Sequence, residues 1–199
     1  GLTANLEQLR RLPELPGSSD ELTTIAKYLG APINKVYLRD RATETTLKNL
    51  DLRTTKVLAF ATHGLIAGEL SGLAEPALVL SPPPKATELD DGLLKASEIA
   101  QLEMNADIVL LSACNTASGD TLGASGISSL AQAFIYAGAR SLLVTHWSVD
   151  SASISELTTG IFDVLSQDGE LGRSEALQIS MLNLMKDKDH PHYSHPAFW

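Results

Sequence analysis

Cysteine is nearly missing: one thiol, Cys114, stands among 199 residues. No internal disulfide can form, which makes a reducing, cytoplasmic setting the expectation. Basic charge is short as well. The 15 Lys and Arg are outnumbered by 24 Asp and Glu, for a net charge of −9. No local run of Lys or Arg offsets that balance, and such a surface repels a phosphate backbone, so nucleic acid is excluded as an expected partner. Long apolar runs are absent too. "KVLAFATHG" and "DIVLLSAC" fall well below the roughly 18–20 residues that span a bilayer, and no membrane association is expected. The N-terminal "GLTANLEQLRRLPELPG" has no apolar signal core and reads as a short polar helix ending before Pro13. Opening on Gly rather than Met is what a piece of a longer chain would do. Internal repeats and low-complexity blocks are lacking. So are the glycine-rich phosphate loop ending in Gly-Lys-Ser/Thr and the Gly-x-Ser-x-Gly elbow, which leaves nucleotide-binding and serine-hydrolase readings without a motif.

What is present is a chain that is 44% hydrophobic, enough for one sizeable core in a single domain. Short aliphatic runs predict strands at 35–39 ("KVYLR"), 56–62 ("KVLAFAT"), 77–81 ("ALVLS"), 107–113 ("DIVLLSA") and 140–147 ("RSLLVTHW"). Amphipathic stretches predict helices between them: "SSDELTTIAKYLG", "ATETTLKNL", "KASEIAQLE", "GISSLAQAFIYAG", "SASISELTTGIFDVLSQ" and "RSEALQISMLNLMK". Ser19 or Asp20 can cap the first of these and Gly30 can close it. Asp150 and Ser151 offer the same start to the fifth. Apolar strands separated by helices predict an α/β sandwich with a mostly parallel central sheet and helices on each side. "SPPPKATELDDG", residues 81–92, reads as an exposed loop that could rim a cleft.

In parallel sheets, loops and helix starts converge at the carboxyl ends of the strands, so those positions are where chemistry gathers. One predicted strand ends in His63-Gly64, another in Cys114-Asn115, and a third in His146-Trp147 shortly before Asp150. A deprotonated thiol is a strong nucleophile, and an imidazole can take its proton and pass one to a leaving amine. Gly64 leaves its backbone N–H uncrowded, and with the Cys114 N–H it could hold an oxyanion. His63 precedes Cys114 by 51 residues, close to the roughly 50-residue spacing of caspases, although the caspase signature around the cysteine is absent.

"FATHG", "DDGLLKASEIAQLEMNADIVLLSACNTASGD", "LAQAFIYAGARSLLVTHWSVD" and "SHPAFW" together resemble the CHAT domain, a caspase-like relative of separases and other clan CD cysteine peptidases that often follows tetratricopeptide repeats. The resemblance implies residues 17–199 as the CHAT domain, with 1–16 as a linker or helix tail. It implies a caspase-like αβα sandwich and a His63/Cys114 dyad acting on a protein or peptide substrate without a cofactor. It further implies regulation by a tetratricopeptide-repeat segment of the same full-length protein. Asp150 falls where the family places the first of two acidic residues that select a basic P1 side chain; the second position is Ser151. Asn115 and "GASG" at 123–126 replace positions that are commonly acidic in the family. His146 replaces an apolar residue. The family continues past Trp199 into an apolar strand, so a C-terminal truncation is expected.

Plainer roles stand beside these. A lone cysteine at a strand end is commonly core. Asp150 suits a helix N-cap, Asp90 and Asp91 suit a turn, and Gly123 and Gly126 suit a sharp loop before a helix starting near Ile127. His190, His192 and His195 lie in a Pro-containing polar segment without a cysteine or carboxylate at a recognised ligand spacing, so no metal site is expected. The competing functional reading is a catalytically inactive caspase-like interaction module.

Overall fold

A computed structural model describes residues 6–112, 123–145 and 149–199, with the backbone alone for 123–128. The chain forms two compact units, one from residues 1–14 and 37–148, the other from 15–36 and 149–199.

In the first unit, three of the aliphatic runs pair in parallel. β1 (Val57–Phe60) and β6 (Leu142–Val144) flank β5 (Ile108–Leu111), in the order β1-β5-β6. The register sets Phe60 against Leu111, and Leu111 against Val144. All four residues of β5 are buried, as expected of a central parallel strand. Leu58 and Phe60, Val109 and Leu111, and Leu142 and Val144 alternate along their strands and so share one face. They pack there with α3 (Glu44–Lys48), α4 (Ala96–Ile99) and α5 (Gly123–Tyr136), through Leu47, Ile99, Leu130, Ala133 and Phe134. Phe60 and Phe134 meet with ring centroids 5.6 Å apart. Gly138 ends α5 at φ 109°; a Cβ there would lie 2.1 Å from the Met104 carbonyl oxygen. Only glycine lets the chain turn so close to that backbone and enter β6.

A second, antiparallel sheet belongs to the same unit. It consists of β2 (Gly64–Leu65), β3 (Ala77–Val79) and β4 (Leu93–Lys95), in that order. The run "ALVLS", predicted for the parallel sheet, is its middle strand. Leu65, Leu73, Ala77, Val79 and Leu93 form its core, and the short helix α1 (Leu6–Arg10) adds Leu6 and Leu9. The mixed α/β architecture therefore has one three-stranded parallel sheet with helices packed on it, and one small antiparallel sheet.

Other expectations are corrected. "KVYLR" forms no strand: its first residue ends a 3-10 turn at Ile33–Lys35, and Arg39, at φ 51°, opens another at Arg39–Arg41. α2 (Ser18–Tyr28) begins from Gly17, in the left-handed region, rather than from a Ser19 or Asp20 cap. Asp20 and Glu21 instead place negative charge in its first turn, where the helix dipole favours it. α5 starts at Gly123, not near Ile127.

The loop at 81–92 is tied down at its end. Asp90 and Asp91 are 7% and 4% exposed. Thr45 donates its amide and hydroxyl to Asp90 Oδ2, at 3.1 and 2.6 Å. The amides of Asp91 and Gly92 donate to Glu44 Oε2, each at 2.7 Å. Lys48 Nζ bridges Glu44 and Glu98, at 2.9 and 2.8 Å. Burial pushes the Glu44 carboxyl up from its ordinary value, against the pull of Lys48 and the amides. For Lys48, burial works downward, and the bonds to Glu44 and Glu98 outweigh it and raise it.

The second unit packs α2 and α7 (Arg173–Leu184) against α6 (Ser151–Gln167). Among the described residues no helix is long and apolar enough to cross a membrane.

Candidate active site

β1 runs out at Phe60, and three residues later His63 sits between the two sheets of the first unit, immediately before β2. Its own carbonyl and the residue before it are both held. The Val79 amide donates to the His63 carbonyl at 2.8 Å, and the Thr62 hydroxyl donates to the Val79 carbonyl. The backbone at the histidine is thus clamped to β3. The residue is 8% exposed, and its Nε2 lies 2.7 Å from the carbonyl oxygen of Pro13. A carbonyl can only accept, so Nε2 carries the hydrogen. In the neutral ring this leaves the lone pair, and with it the basicity, on Nδ1.

Gly64 pairs with Leu78. Because the Val79 amide bonds to His63, one residue away in each strand, Gly64–Leu78 is a non-hydrogen-bonded pair of the antiparallel ladder. Its geometry directs the Gly64 N–H away from β3.

On the neighbouring strand, the ladder continues one residue past β5, where the Ser112 amide donates to the Phe60 carbonyl at 2.8 Å. Cys114 and Asn115, together with His146 and Trp147, lie outside the described residues. The GASG stretch is the first turn of α5.

Asp150 belongs to the second unit and is the N-cap of α6. Its Oδ1 alone accepts from the amides of Ala152 and Ser153, at 3.1 and 3.0 Å. That is the capping role the sequence suggested, carried by one carboxylate oxygen.

Of the three C-terminal histidines, His190 and His192 share an aromatic cluster, their ring centroids 6.0 Å apart. His190 stacks on Tyr193 at 4.8 Å, and its Nδ1 lies 2.7 Å from Asp187 Oδ2. His192 sets its edge against Tyr193 and Phe198, at 4.7 and 5.1 Å. His195 Nδ1 accepts from the Ala197 amide at 3.1 Å. The sequence offered His190 no carboxylate at a recognised spacing. The fold supplies two, Asp187 and, from α6, Glu156, whose ligand atoms all lie within 4.8 Å of one another and of the imidazole. The hydrogen bond that His190 donates to Asp187 raises His190 above its ordinary value. Burial pushes Glu156 up, the Asp187 charge adds to that, and His190 opposes it.

Pro13 is the group that sequence reasoning missed. It contributes a backbone oxygen from 50 residues away, and no side-chain motif marks such a contact.

The family model of the CHAT domain matches residues 3–199. No curated protein matches the chain.

Proposed function

The chain belongs to the CHAT family, a caspase-like peptidase family, and from that premise we propose that it is a cysteine endopeptidase with His63 and Cys114 as its dyad. The parallel sheet β1-β5-β6 is then the central sheet of a caspase-like αβα sandwich. The observation that carries the reading is the register of β1 and β5: Phe60 and Leu111 are side-by-side partners, and His63 and Cys114 each follow three residues further along. Two parallel strands ending level deliver their next residues to one edge.

In this reading His63 Nδ1 takes the thiol proton, because the Pro13 carbonyl holds the other nitrogen as a donor. The Cys114 thiolate attacks the scissile carbonyl, and the amides of Gly64 and Cys114 steady the oxyanion. Collapse breaks the C–N bond, and the amine leaves with the proton from His63. Water, deprotonated by the same nitrogen, then attacks the thioester and returns the thiol. By its match to the family's first acidic position, Asp150 is the residue that favours a basic P1 side chain. No cofactor enters these steps.

The test is labelling by a peptide acyloxymethylketone with Arg at P1. Wild-type protein should be modified at Cys114, and Cys114→Ala should not react. His63→Ala should slow the reaction by roughly 10²–10⁴, the usual worth of a general base. Asp150→Asn keeps a good N-cap, since Asn and Asp rank together there. It should lower the preference for Arg over Leu at P1 roughly tenfold, what a charge-assisted hydrogen bond of about 1.5 kcal/mol provides. Wild-type protein that resists the probe and cleaves nothing in a diverse peptide library is an interaction module.

A further inference from the structure

The segment that begins with α1 reaches the proposed general base through Pro13, 50 residues from it in sequence. α1 is five residues long, far too short to persist alone in water, so it exists where it does because it is docked. Leu6, Leu9 and Leu12 recur every third residue and share one side of the turn. They pack with Leu65, Leu73, Ala77, Val79 and Leu93, and Leu9 is 4% exposed. Arg10 Nη2 donates to the Pro83 carbonyl at 2.8 Å. The turn then tightens, with the amides of Arg11 and Leu12 donating to the carbonyls of Gln8 and Leu9, each at 3.2 Å. The next residue presents its carbonyl to His63 Nε2. The receiving surface is the same sheet that flanks the histidine, through Gly64–Leu65 of β2 and through Val79, whose amide holds the His63 carbonyl.

We infer that residues 6–14 are a latch: while the leucines are seated, Pro13 fixes the His63 ring with Nε2 as donor and Nδ1 as base, and unseating the segment releases the ring and switches the dyad off. The latch rests on the dyad reading, and it gives an upstream repeat segment or partner a mechanical handle. A pull on the chain ahead of Leu6 acts first on a marginal five-residue helix whose seat includes the three leucines and the Arg10 bond. The histidine then loses its orientation without any change to the strands that carry it. Ring orientation matters because proton transfer needs the basic nitrogen within hydrogen-bond reach and aligned.

The test uses the full chain with Leu9→Asp, which places a charge in the seat, and Leu9→Met, which refills it. Three quantities are measured: amide exchange in β5 and α1, solvent exchange of the His63 Nε2–H by nitrogen-15 NMR, and kcat and KM on an Arg-P1 fluorogenic peptide. The latch requires that Leu9→Asp keep β5 protected while α1 and the Nε2–H exchange faster. It also requires kcat to fall by about tenfold or more with KM within about twofold, the pattern of a lost transition-state contribution. Leu9→Met must behave as wild type. An unchanged Nε2–H signal with α1 unseated overturns the latch, and so does a released ring with kcat intact. If the wild type cleaves nothing and resists the probe, the dyad reading has failed and the latch falls with it. A released Nε2–H in Leu9→Asp would then show that Pro13 holds the ring even though no dyad operates. Should Leu9→Asp lose β5 protection, Leu12→Ser, at a partly buried position beside Pro13, is read by the same criteria.

Discussion

At the scale of single residues, the group formed by His190, Asp187 and Glu156 gives the clearest dependence on pH. Asp187 raises His190, and His190 lowers Asp187 in return, each chiefly through their shared hydrogen bond. A base with a raised folded value contributes stability that is fully present below its unfolded value, near pH 6.5, and is lost as pH rises through the folded value. An acid with a lowered folded value contributes stability present above its unfolded value, near pH 4, and lost as pH falls through the folded one. The pair therefore acts in full between about pH 4 and pH 6.5 and fades on both sides. His190 is exposed and Asp187 only partly buried, so solvent screens the pair, the effect on global stability is small and the direct observable is the titration itself. Followed by NMR, His190 should titrate above an ordinary histidine, and Asp187→Asn should bring it down. A His190 titration unmoved by that substitution would mean that the hydrogen bond is not what raises it. The imidazolium has no lone pair, so in the same window the pair competes with any cation for these three side chains.

Among the elements, the packing of α6 on α7 turns on one position. Gly160 lets Ser180 approach so closely that a Cβ would lie 2.5 Å from Ser180 Oγ. That hydroxyl cannot simply swing away, because it donates to the Leu157 carbonyl at 2.9 Å in a buried setting. Gly160→Ala would gain about 1 kcal/mol of helix propensity in isolation. Overpacking costs about 1–3 kcal/mol, and the lost buried hydrogen bond adds to that, so the variant should be less stable in denaturant melts. A stabilised variant would show that the two helices separate easily. Elements of this kind were legible in the sequence: α6 begins at the Asp150 cap and runs the length of its amphipathic pattern, and the runs at 57–60, 108–111 and 142–144 are strands as their aliphatic residues indicated. β2 and β4 were not, because two or three residues are too few to show a period. "KVYLR" has strand composition but pairs with no strand among the described residues. Asp90 and Asp91 looked like surface turn residues because the groups that bury them, Glu44, Thr45 and Lys48, are brought in by the fold. The same limit hid Pro13 from His63 and Glu156 from His190. Residue types announce chemistry, whereas a partner 30 or more residues away is visible only once the chain has folded.

Over the whole molecule, the path of the chain divides it into units that do not follow sequence order. Residues 15–36 join the second unit, 37–148 build the first, and 149–199 return to complete the second. Every residue of the two apolar clusters around the parallel and antiparallel sheets comes from the first unit. The second closes through its own contact, the Thr158 hydroxyl donating to Glu21 Oε1 at 2.7 Å across 137 residues of sequence. Thr158 and Glu21 are 1% and 5% exposed, so this bond joins α2 to α6 away from water, where losing a donor to a carboxylate is costly. Contacts between segments this distant form only after a large loop has closed, which makes the second unit a candidate cooperative unit. Thr158→Val keeps the shape and removes the donor, and should cost about 1–3 kcal/mol. The informative measurement is where that loss is felt. If residues 15–36 and 149–199 open as one unit, amide exchange should rise together in α2, α6 and α7 while β5 keeps its protection. Faster exchange limited to α6 would mean that the helices open singly. An equal loss in β5 would mean that the two units melt as one.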